Sequence, residues 1–90
     1  MDFKKYISNL YKIWDREKDP NARNYLEDFV DIAEEWDNAF NSRALSKMIF
    51  CTVVMGELCH DMRVNTHLEG WDLICGKGLN ELLRDAASSL

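Results

Sequence analysis

The chain has no stretch apolar enough to cross a bilayer: its most apolar run, Met48 to Met55, covers eight residues where about 20 are needed. It has a single proline, at position 20, and four glycines in 90 residues, so little in it interrupts regular structure. It lacks a C-x-x-C pair, which removes the usual zinc-finger and dithiol patterns. It also lacks a basic excess. With 16 acidic and 11 basic side chains its formal net charge is -5, which argues against direct nucleic-acid binding and against docking on anionic membranes. The N-terminal Met1-Asp2-Phe3-Lys4-Lys5 has no apolar stretch of the kind that marks a signal peptide. A cytoplasmic protein with reduced thiols is therefore expected, and its odd number of cysteines (Cys51, Cys59, Cys75) fits that reading.

What remains is a sequence rich in apolar side chains, 47% hydrophobic and 11% aromatic, enough to offset the entropy of ordering a chain this short. The apolar positions recur with a period near 3.6, and that period predicts an all-α single domain over 1–90, a small four-helix bundle. The first helix is expected over about Asp2 to Lys18, with Phe3, Tyr6, Ile7, Leu10, Tyr11, Ile13 and Trp14 on one side. Asp19-Pro20 should end it and start the second, with Asp19 as N-cap and Pro20 in the first helical position. The second helix, Pro20 to Phe40, turns Ala22, Tyr25, Leu26, Phe29, Ile32, Ala33, Trp36 and Phe40 inward, and Asn41 or Ser42 should cap the third.

The third helix, about Arg43 to Arg63, differs in kind. It carries no charge from Met48 to Gly56. Leu45, Met48, Ile49, Thr52, Met55, Gly56 and Cys59 share a face, while Phe50 and Val54 point away from it. A helix apolar all round is buried all round, so this one is expected at the bundle's centre or against a second copy in a homodimer. Thr66-His67-Leu68-Glu69 matches a capping box for a fourth helix, in which Gly70, Gly76 and Gly78 are weak points. A kink is expected near Gly76-Lys77-Gly78, or else close helix packing at Gly56 and Gly78.

Charge is unevenly spread. Residues 21–40 hold one basic and six acidic side chains, and the rest of the chain is neutral in sum. Glu27, Asp31, Glu34 and Glu35, flanked by Asp28, form a stripe opposite the apolar side of the second helix, and Lys5, Lys12 and Arg16 form an outward cationic row on the first. Carboxylates in a row suit a protein partner with a basic surface. Glu57-x-x-His60, with Asp61 beside it, has the spacing by which di-iron bundles project two ligands from one helix, but one copy without further carboxylates is half a site. The composite expectation is a small acidic interaction module without catalysis or cofactor: an adaptor, an assembly subunit, or an inhibitor of the kind encoded by phages and mobile elements. Its docking residues would be Glu27, Asp28, Asp31, Glu34, Glu35, Phe50 and Val54. The alternative is a metal-dependent bundle enzyme using Glu57, His60 and Asp61.

Overall fold

The computed structural model describes residues 3–88, without the side chains of residues 77 and 78. Five helices follow in order: α1 (Phe3–Arg16), α2 (Pro20–Asn41), α3 (Leu45–Asn65), α4 (Trp71–Cys75) and α5 (Lys77–Ser88). Three long helices and the short α4–α5 pair make an all-α bundle of 37 × 21 × 20 Å, with no strand among the described residues. Asp2, expected to begin the first helix, and the side-chain surroundings of Gly78, where close packing is expected, lie outside what is described.

The boundary between α1 and α2 is set by local chemistry. The Asp19 carboxylate accepts the amide of Ala22 at 3.4 Å, and Pro20, which has no amide to satisfy, opens α2. At the far end the break falls close to the expected Asn41-Ser42, but Ser42 caps the end of α2 and not the start of α3. Asn41 is still helical, and Ser42 closes α2 by donating its hydroxyl to the Asn38 carbonyl at 2.7 Å. Arg43 then adopts a left-handed conformation (φ 57°), and α3 begins after Ala44 with no side-chain cap.

The central helix is α2, not α3. It buries Ala22, Leu26, Phe29, Val30, Ile32, Ala33, Trp36 and Ala39, and it lies against α1 on one side and α3 on the other. The Trp36 ring sits 4.7 Å from Phe3 and stacks on Phe40 at 5.5 Å, and its indole N–H donates to Thr52 Oγ1 at 3.1 Å. One side chain thus joins three helices. α3 buries a single stripe: Met48, Cys51, Met55, Cys59 and Met62. Of the face the sequence suggested, Leu45, Ile49, Thr52 and Gly56 are instead exposed. The physical reason is that a uniformly apolar helix has no pattern to set its rotation, so its contacts with α2 and α4 decide which stripe turns inward.

The capping box is also corrected. Thr66 ends α3 instead of starting a fourth helix: its hydroxyl donates back to the Met62 carbonyl and accepts the Leu68 amide. The chain turns through Gly70, whose φ of 78° favours glycine, into α4. Gly76 separates α4 from α5, and a Cβ there would meet the Asp72 carbonyl at 2.4 Å. Two bonds hold α4 to the rest. The Tyr6 hydroxyl donates to the Ile74 carbonyl, and the Trp71 indole N–H donates to the Cys59 carbonyl at 2.9 Å. Burial pushes the Tyr6 phenol well above its ordinary pKa, so it stays a donor at any physiological pH.

A disulfide completes the attachment. Cys59 and Cys75 are bonded, with their Cα atoms 5.6 Å apart, across sixteen positions of chain. The expectation of three reduced thiols therefore fails for two of them. The turn at Gly70 returns α4 alongside the end of α3, which is what brings Cys75 to Cys59.

Candidate functional site

The outer side of α3 is the most unusual surface of the molecule. Phe50 is 61% exposed, Ile49 59%, Leu45 58% and Val53 56%. Positions 45, 49 and 53 lie one turn apart along a single line, and Phe50 sits beside them, so the four are contiguous. Proteins that stay monomeric rarely leave large apolar side chains clustered in this way. Val54, expected on this patch with Phe50, is half-buried and packs against the core, so the patch consists of Phe50 with Leu45, Ile49 and Val53.

Gly56 continues the same face. Nothing lies within 4 Å of where its Cβ would be. An exposed glycine inside a helix costs up to about 1 kcal/mol relative to alanine, and no contact within the chain offsets it. The face is also graded in charge. Lys47 flanks its first half, and Glu57 and Asp61 lie on its second half, all three exposed.

The carboxylates of α2 do not form one uniform stripe. Glu27, Asp28, Asp31 and Glu35 are exposed, whereas Glu34 is half-buried and accepts a hydrogen bond from the Tyr11 hydroxyl. That bond, with the nearby charges of Glu34 and Asp31, raises the Tyr11 phenol above its ordinary pKa. Glu35 lies toward α3: burial first, and Glu35 second, push the Cys51 thiol up, with Lys47 opposing. Cys51 is thus a buried, protonated thiol and a poor nucleophile. On the α1 side, Glu27 and Asp31 join Tyr11, Trp14 and Val30 around a hollow of about 190 Å³. The Trp14 ring is already covered by the Arg23 guanidinium at 4.2 Å from its centroid. An aromatic pair beside two carboxylates is the composition that holds an alkylammonium or guanidinium group. Sequence inspection placed Tyr11 and Trp14 on the core side of α1, and so missed this pairing.

Glu57, His60 and Asp61 do not converge. All three are exposed, around an open depression with Val53 and Gly56, and among the described residues no three His, Cys, Asp or Glu side chains could share a metal ion. Cys59, next to His60 in sequence, is buried and disulfide-bonded. No helix among the described residues is long and apolar enough to cross a membrane.

No protein-family model, curated protein or solved structure matches this chain.

Proposed function

We propose that this chain is a non-catalytic protein-interaction module that docks through the outer face of α3, first of all onto a second copy of itself. The observation that carries this reading is the cluster of Leu45, Ile49, Phe50 and Val53, each more than half exposed on a helix that has no charge between Met48 and Gly56. Antiparallel pairing about Val53 suits the face. It brings Phe50 over the open space at Gly56 of the second copy, and Lys47 between Glu57 and Asp61 of the second copy. Parallel pairing would instead stack like charge on like charge and align the two helix dipoles unfavourably. The Phe50→Asp variant is expected to weaken self-association by at least about 2 kcal/mol, roughly thirtyfold, as central aromatic residues of interfaces do. Its far-UV circular dichroism should be unchanged, because Phe50 contributes little to the core. Self-association as strong as wild type's would remove α3 as the docking face.

A second reading is favoured by the hollow of Tyr11, Trp14, Glu27 and Asp31. In this reading Glu27, Asp28, Asp31, Glu34 and Glu35 face a partner protein with a basic surface, and the hollow receives one of its lysine or arginine side chains. An adaptor, an assembly subunit or an inhibitor that occupies a basic groove would all use such a surface. The combined Asp31→Lys and Glu35→Lys change should alter stability by no more than about 0.5 kcal/mol, since both side chains are exposed. Binding of an arginine- and lysine-rich test peptide should be lost, and wild-type binding should weaken as salt rises. Unchanged peptide binding by the double reversal would leave the stripe as solvated surface.

A further inference from the structure

Between α1 and the α4–α5 pair lies an open cleft of about 640 Å³. Leu10 and Ile13 on one wall and Ile74, Leu79 and Leu82 on the other give it an apolar floor. Lys5, Lys12 and Arg16 stand along its α1 rim, and none of them is ion-paired among the described residues. Their spacing places them on one side of α1, spread over eleven positions, or about 16 Å of helix axis. Asp72 is the only carboxylate lining the cleft among the described residues.

We infer that this cleft is the docking groove for an amphipathic helix of a partner protein, one that carries carboxylates along one flank of its apolar face. The distribution of charge selects the occupant. A single-headed amphiphile such as a fatty acid concentrates its charge at one end, whereas these cations follow the length of the groove. A helix laid along an apolar floor presents anchors at every turn and flanking charges at the same interval. A second copy of this chain does not supply such a helix. The apolar side of α2 is already buried, and the open face of α3 has its carboxylates, Glu57 and Asp61, at one end only.

The test uses a fluorescent synthetic amphipathic helix with leucines on one face and glutamates on one flank. The same peptide with lysines in place of the glutamates, and dodecanoate, serve as comparisons. The glutamate peptide should bind the wild-type protein about tenfold or more tightly than the lysine peptide. Amide shift changes should map to Leu10, Ile13 and Leu82, and Phe50→Asp should leave the affinity unchanged. The combined Lys12→Glu and Arg16→Glu change should invert the preference, so that the lysine peptide binds better, while the circular dichroism stays that of the wild type. Equal binding of the two peptides, shift changes on α3, or an unaltered preference in the double variant would each overturn the assignment. Dodecanoate shifting the same residues while the glutamate peptide does not bind would make this a lipid site and overturn it as well.

Discussion

Replacing Trp36 with alanine is expected to bring the domain close to unfolding, with the melting temperature lowered by roughly 15–30 °C. The side chain is 1% exposed and touches all three long helices: Phe3 on α1, Phe40 on its own helix, and Thr52 on α3. Truncating a buried tryptophan costs about 3–5 kcal/mol, because the lost transfer energy is compounded by the cavity left behind. A 90-residue domain has little stability to lose. Thr52→Val separates the contributions, since it keeps the Trp36 ring and removes the hydroxyl that accepts from it and donates to the Met48 carbonyl, and it should cost about 1 kcal/mol. Urea titrations of the two variants followed by circular dichroism check both figures. A loss near 1 kcal/mol for Trp36→Ala would mean that the three helices are held together elsewhere.

Opening the Cys59–Cys75 disulfide should have an effect of similar size but a different distribution. Closing a loop of this length restricts the unfolded chain by about 3 kcal/mol, so reduction should lower the melting temperature by roughly 12–24 °C. The loss should fall mainly on α4 and α5, which are otherwise held by the Trp71 and Tyr6 hydrogen bonds and by Ile74, Leu79 and Leu82 in the core. These helices form one wall of the cationic cleft. Reduction should therefore weaken binding of the acidic helix while leaving self-association through α3 intact. Thermal scans with and without dithiothreitol, repeated on the combined Cys59→Ser and Cys75→Ser variant, test this. The variant should melt like the reduced wild type and be insensitive to dithiothreitol, because Cys51 has no partner. A wild type indifferent to reduction would show that the bond adds nothing to stability.

The parts of the fold legible in the sequence are those in which a local pattern and the tertiary structure agree. Asp19-Pro20 marks a helix start by its own chemistry, and the apolar positions of α2 repeat so regularly that one inner face results. The parts that were not legible have physical causes. α3 is apolar on nearly every side from Met48 to Gly56, so nothing in the pattern of that stretch could say that Cys51 would turn inward and Ile49 outward. Thr66 suits both ends of a helix, and its back-bond to Met62 prevailed over a capping box with Glu69. The disulfide depends on the turn at Gly70, which a count of cysteines does not reveal. The candidate sites divide in the same way. Phe50, the α2 carboxylates and the cations of α1 could be read from charge and period. The hollow at Tyr11 and Trp14 and the far wall of the cleft depend on how separate helices meet.

Sedimentation equilibrium of the wild-type protein over a range of concentrations, beside Phe50→Asp, tests the role of α3 most directly. At micromolar concentration the wild type should fit two chains of 10.5 kDa in reversible association, and Phe50→Asp should fit one chain with the same helical content. A wild type that remains a single 10.5 kDa chain at every concentration would contradict self-docking through α3.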